Sequence, residues 1–211
     1  MEDDIPKRKH LDGWVDLGSV LLISAATVLT AWCGYEGARW TAVQTRLYNT
    51  ASADRINGSV AAARANALET FDVATFLMYV RVVGTQDTKE ADFIYKRFRP
   101  EMKRAVVAWI ATKPLLNPNA PPTPFAMPQY HLATQAEADR LSALASASFK
   151  AATEANEIGD SYVRLTVIFA AVLFLAGVST KFVFPYHIVV IVAGLATLAF
   201  GLIRLFVLPM Q

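Results

Sequence analysis

Residues 162–207 read YVRLTVIFAAVLFLAGVSTKFVFPYHIVVIVAGLATLAFGLIRLFV, and from Leu165 to Ile203 only Lys181 and His187 carry an acidic or basic side chain. Each of the two apolar stretches in this run, 162–180 and 182–207, comes to about the 20 residues that an α-helix rising ~1.5 Å per residue needs to cross a ~30 Å hydrocarbon layer. The turn between them, around Ser179 to His187, is so short that the two must be antiparallel neighbours. A third stretch of the same kind, Trp14 to Tyr35, lies near the start, and between Leu17 and Gly34 its only ionisable side chain is Cys33. The chain therefore reads as an all-α membrane protein with three transmembrane helices.

The organisation expected is a basic tail at 1–13, a first span at 14–35, a water-exposed segment at 36–161 and the two closing spans at 162–180 and 182–207. Lys7, Arg8 and Lys9 precede the first span. The run that follows is long for a cleaved signal and Trp32 stands before Cys33, where a lipoprotein signal needs a small residue, so a retained anchor is expected. Three crossings put the termini on opposite sides. The basic tail favours a cytoplasmic N-terminus and an external central segment, although Arg39, Arg46, Arg164 and Arg204 flank the other side.

The excess of apolar residues, 54% of the chain, is confined to the spans, and the net charge of +2 offers no basic footprint for nucleic acid. A single cysteine excludes an intrachain disulfide and a cysteine-based zinc site. Trp40, Val43, Leu47 and Ala51 fall at helical steps beyond the first span, so the membrane helix is expected to continue into water as a stalk. Asn57-Gly58 is a candidate break, after which Leu68, Phe71, Thr75 and Met78 resume a helical face. Asp87 or Thr88 can cap a short helix carrying Phe93, Ile94 and Phe98. Pro100 suits the first position of the next helix, whose apolar face is Met102, Val106, Trp109 and Ile110.

The proline-rich segment 113–130 holds Leu115, Leu116, Phe125 and Met127. A free linker would lack such residues, so a strap packed across a small helical head is expected. From about Thr134, Leu141, Leu144, Ser148, Ala151, Ala155, Ile158, Tyr162 and Leu165 repeat at steps of three and four, the spacing of a coiled-coil seam. Small seam residues allow close approach, and the equally Ala-rich outgoing stalk is the partner expected, in an extended antiparallel helical hairpin.

Three sets of residues are candidates for function, each with a plainer reading beside it. Glu154, Glu157 and Asp160 recur every third residue and can form a cation-attracting face, or simply a solvated stalk face. Ser24, Thr27 and Thr30 are the polar groups at the centre of the first span and would line a pore if copies formed one. Gly34, Ala38 and Ala42 at four-residue spacing, and Gly194 with Gly201 in the third span, permit close helix packing in lipid. The first group is expected to pack within a subunit, the second between subunits. Either Glu36 or Asp16 is placed to pair with Arg164. The histidines, His10, His131 and His187, fit no metal-binding spacing, and neither a glycine-rich phosphate loop nor a GxSxG elbow occurs. No enzyme activity, cofactor or metal is expected.

The aromatic cluster Trp32, Tyr35 and Trp40, the Phe98-Arg99-Pro100 step with Trp109 behind it, and the strap landmarks Asn117-Pro118, Ala120-Pro121-Pro122, Pro124-Phe125, Met127-Pro128 and Tyr130 resemble a family of small bacterial integral membrane proteins of unassigned activity. That resemblance implies a bacterial inner-membrane location and nothing about mechanism. The expected role is a membrane scaffold or accessory protein, homo-oligomeric, with the lipid bilayer and a membrane protein as partners. The alternative is a homo-oligomeric channel or transport component.

Overall fold

The computed structural model describes the backbone of residues 5–179, 181–182 and 186–210, and side chains from Leu17 onward within them. Among the described residues every regular element is helical: α1 (Ile5–Gly84), α2 (Thr88–Lys96), α3 (Pro100–Ala111), α4 (Ala133–Ser179) and α5 (Tyr186–Val207), with a single 3-10 turn at Pro124–Ala126. Three of the helices, α1, α4 and α5, are long and apolar enough to cross a membrane. The chain divides into two compact units, a membrane unit of residues 1–49 and 148–211 and a head unit of residues 50–147.

α1 runs for 80 residues without interruption, so the candidate break at Asn57-Gly58 lies inside one very long helix. The reason is a close approach: a Cβ on Gly58 would lie 3.4 Å from Leu141 Cβ and 3.5 Å from the Ala138 carbonyl oxygen. Glycine here is a contact that lets two backbones meet, and the surrounding Ala-rich sequence supplies the helix propensity. α1 stops where Gln86 takes a positive φ of 65°. Asp87 then caps α2, accepting from the Lys89 and Glu90 amides at 3.1 and 3.0 Å, and Pro100 opens α3 as expected. α5 begins at Tyr186, later than the third span's expected start at 182; residues 183–185 lie outside the described set.

In the membrane unit one core joins Cys33, Tyr162, Leu165, Phe169 and Leu205, and a second joins Leu22, Ala26, Val172 and Ala176. Small residues bring the helices together. Gly37 and Gly159 face one another, each placing an imagined Cβ 3.8 Å from the other's carbonyl oxygen. Buried Ser19 and Ser179 join their hydroxyls at 3.2 Å, a pairing that satisfies polar groups inside a hydrocarbon-facing bundle. The Pro209 carbonyl accepts from both Trp40 Nε1 at 3.2 Å and Tyr162 Oη at 3.1 Å, tying the chain beyond α5 to α1 and α4.

The head unit has an aromatic core. Phe76, Ile94, Phe98, Met102 and Val106 are buried, with Tyr79, Tyr95, Trp109, Phe125 and Tyr130 packed around them. Phe76 meets Trp109 and Phe125 edge-to-face, with ring centroids 5.6 and 5.8 Å apart, the arrangement the ring quadrupole favours. The buried face of upper α1 is therefore Asp72 and Phe76, whereas Phe71 and Met78 point to solvent. Phe93 is likewise exposed, with the Arg97 guanidinium 3.3 Å over its ring.

The α4 seam is half as expected. Leu141, Ala155, Tyr162 and Leu165 are buried, but the alternating positions are Ala145, Ala152 and Gly159, each one residue past Leu144, Ala151 and Ile158. At two of these three steps, Leu144 to Ala145 and Ile158 to Gly159, the smaller neighbour takes the close contact and the larger one moves to the flank; Ala151 and Ala152 are the same size, and Ala152 shifts in register with them.

Candidate functional site

Asp72 occupies a position that small residues hold for several turns below it, since Ala51, Gly58 and Ala65 are buried at seven-residue intervals and Asp72 comes next. Its side chain is 1% exposed. One carboxylate oxygen, Oδ2, accepts from Arg99 Nη1 at 3.1 Å and from Tyr130 Oη at 3.0 Å. The other, Oδ1, has no hydrogen-bond partner among the described residues. Arg99 also lies 3.4 Å from Glu101.

The sequence places these three groups for simple reasons. Asp72 sits mid-helix, Arg99 immediately precedes Pro100 in the extended backbone that proline imposes on its neighbour, and Tyr130 ends the strap. One carboxylate thus clasps α1, the α2–α3 step and the end of the strap. Burial raises the Asp72 pKa above the ordinary 3.8, outweighing the Tyr130 hydrogen bond and the Arg99 charge that lower it. Tyr130 is pushed up as well, first by burial and then by the adjacent Asp72.

The strap packs through part of its length. Trp109 Nε1 donates to the Pro121 carbonyl at 2.7 Å, Pro124 is buried, and Phe125 stacks edge-to-face on Tyr130 at 5.1 Å. Leu115 and Leu116 do not join it. They stand out at 97% and 83% exposure, the opposite of a packed strap. The turn that carries them is ordered: Lys113 takes a φ of 52°, its carbonyl accepts from the Leu116 and Asn117 amides at 2.9 Å each, and Asn117 Oδ1 accepts from the Asn119 amide at 3.0 Å.

Ser24 and Thr27 point outward and Thr30 is half-buried, and each hydroxyl donates to a carbonyl four residues back on its own helix, at 2.8, 2.8 and 2.7 Å. Gly34, Ala38 and Ala42 are exposed, and an added Cβ at Gly34 would meet nothing within 4 Å. The third-span glycines pack inside the subunit instead: Gly194 against Leu22, and Gly201 so tightly that a Cβ would fall 2.6 Å from Phe169 Cε1. The third-span glycines thus pack within the subunit rather than between subunits, and on α1 it is Gly37, not Gly34, that makes the contact with α4. Glu154, Glu157 and Asp160 are all exposed, with Asn156 Nδ2 donating to Asp160 at 3.2 Å, and among the described residues no cluster of potential metal ligands forms. Arg164 is exposed and donates to Ser161 Oγ at 2.9 Å. Glu36 is buried, while Asp16 and His10 lie outside the described side chains. His131 is exposed and His187 buried.

No family model matches the chain, and neither a curated protein nor a solved structure does.

Proposed function

We propose that this protein is an integral membrane scaffold or accessory protein: a three-span anchor that presents a helical head to a protein partner, as a homo-oligomer in a bacterial inner membrane. The observation that carries the reading is the Leu115-Leu116 turn, two large apolar side chains that an ordered backbone holds more exposed than any other large apolar residue of the head, away from its buried aromatic core. An apolar anchor at the tip of an ordered turn is the kind of group that fills a partner's pocket. The bacterial location follows from the sequence resemblance alone.

An antiparallel hairpin of α1 and α4 is part of this proposal. It is supported within the membrane unit by the pairs Ser19–Ser179, Gly37–Gly159 and Tyr48–Phe149, which run in opposite directions along the two helices, and within the head unit by Gly58 against Leu141. Burial every seventh residue, at Ala138, Ala145, Ala152 and Gly159, fits a left-handed coiled coil with small residues at one seam position. The open Gly34, Ala38 and Ala42 stripe supports contact between copies. The channel alternative rests on outward-facing Ser24 and Thr27, whose hydroxyls are already engaged by their own helix.

Light scattering of the purified protein together with planar-bilayer recording tests the proposal. The scaffold reading expects a small oligomer and no conductance above bare lipid. Rings of about four or more copies carrying selective cation currents would replace it with the channel. A photoreactive residue at Leu115 is expected to crosslink in cells to one discrete partner, and crosslinking no stronger than at exposed Asn119 would remove the leucine turn from the account.

A further inference from the structure

Between α4 and α5 in the membrane unit runs a groove of about 490 Å³, floored by Leu165, Ile168 and Phe200 and flanked by Arg164 and Arg204. Its level in the bilayer is marked by neighbouring groups. Trp40 and Tyr162 both bond the Pro209 carbonyl, and indole and phenol side chains with one polar end settle at the boundary of hydrocarbon and water. Arg164 lies two residues beyond Tyr162. Arg204 is five residues before Pro209, ~7.5 Å along a helix, a distance its own stem spans by snorkelling.

Neither guanidinium makes an ion pair among the described residues. Arg164 is held by Ser161 Oγ at 2.9 Å and Arg204 lies 6.0 Å over the Phe200 ring, so each is oriented while keeping donors free. Two cations at the polar end of an apolar trough, at the depth of lipid headgroups, match an amphiphile with an anionic head and a hydrocarbon tail. A planar guanidinium binds phosphate oxygens in pairs, which an ammonium does not.

We propose that this groove binds an anionic glycerophospholipid, its phosphate on Arg164 and Arg204 and one acyl chain along Ile168 and Phe200. The inference is independent of the scaffold reading, since a channel subunit would carry the same groove. A lipid there fills space on the outer face of α4 and α5, and its single phosphodiester charge offsets part of the two arginine charges, neither of which has an ion-pair partner among the described residues.

Native mass spectrometry of the full chain released from vesicles of equal phosphatidylglycerol and phosphatidylcholine tests it. The wild type is expected to retain phosphatidylglycerol preferentially. R164Q/R204Q is expected to lose that preference, about five-fold for each charge removed, while R39Q, an exposed arginine of α1 outside the groove, keeps it. Ile168→Trp, which fills the groove without touching charge, is expected to lower retention as well, and this arm stands even if the double variant fails to fold. Equal retention of the two lipids by the wild type overturns the proposal. So does equal loss in R39Q, which would mean diffuse surface charge, or a groove emptied by inorganic phosphate alone, or an arginine-dependent dimer that carries no lipid.

Discussion

At Gly201 in the membrane unit a methyl group would fall 2.6 Å from a fully buried Phe169 ring, whereas at Asp72 in the head unit a whole carboxylate is buried and tied to Arg99 and Tyr130. The two sites show how solvent changes what closes a helical core. In lipid, apolar side chains gain nothing by leaving their surroundings for one another, so helices are held by closeness of approach and by matched polar pairs such as Ser19 with Ser179. In water, burying Phe76, Phe98, Met102 and Val106 is itself favourable. That surplus tolerates one expensive polar group, which then fixes how the strap and the α2–α3 step meet α1.

The comparison breaks most readily at Asp72. Asp72→Ala should destabilise the head by about 2–4 kcal/mol, because it leaves the Tyr130 hydroxyl unpaired, removes the Arg99 partner and opens a small void. Asp72→Asn should be much milder, since the amide keeps the side chain's shape and an oxygen that can accept from Tyr130, and Arg99 keeps Glu101 and some contact with solvent. Denaturant unfolding of the two variants, read from Trp109 fluorescence, separates them; equal losses would mean that the charge and not the shape is what the head requires.

Gly201→Ala comes next, at about 1–3 kcal/mol of overpacking, since the ring it displaces is enclosed. Gly34→Ala, into open space, should change the thermal midpoint of the membrane unit very little. If Gly34→Ala proves the more harmful, the outward stripe is a contact between copies in the purified protein, and light scattering of the variant will show fewer copies per particle.

A pH series sharpens the contrast without mutation. The folded pKa of Asp72 lies above its unfolded value, so the acid form is the one the fold favours. Its contribution is complete below the ordinary 3.8 and is withdrawn as pH rises through the elevated value, beyond which it changes no further. The head should therefore lose part of its stability over that interval, and Asp72→Asn should flatten this component of the profile. A profile unchanged by the substitution would assign the pH dependence elsewhere.

Trp109→Phe should cost about 1 kcal/mol through the lost bond to Pro121, and it should speed proteolysis within residues 113–123. The smallest effect is expected for Glu154→Gln, Glu157→Gln and Asp160→Asn together. Three exposed side chains spread around a helix should leave folding, oligomer state and bilayer conductance where they were, and cation currents that vanish in this variant would favour the channel.

The spans are legible from composition because twenty uncharged residues in a row have few other uses. Asp87 and Pro100 are legible because capping and proline geometry are local. The clasp is not. Asp72, three residues after Glu69 in the stretch ANALETFDVA, resembles a charge on any solvated helix face, and only partners from residues 99 and 130 reveal it. The helix faces are legible to within one residue, and the error has a direction: Leu144 and Phe71 are the larger apolar residues, yet Ala145 and Asp72 are the ones buried. Judging a seam by hydrophobicity favours the bulky neighbour where close approach favours the small one. Leu115 and Leu116 mislead in the same way, since their hydrophobicity suggests packing that the turn at Lys113 denies them.

The central claim is three crossings, with the head and the C-terminus on one side and the α4–α5 turn on the other. In a Cys33→Ala background, cysteines at Asn119, Met210 and Lys181, all exposed positions, should be probed with a membrane-impermeant maleimide on cells stripped of any outer barrier. Asn119 and Met210 should label together on intact cells, and Lys181 only after the membrane is opened. The opposite pattern would reverse the orientation and keep the three spans, whereas labelling of Asn119 and Met210 from different sides, or of Lys181 together with Asn119, would contradict them.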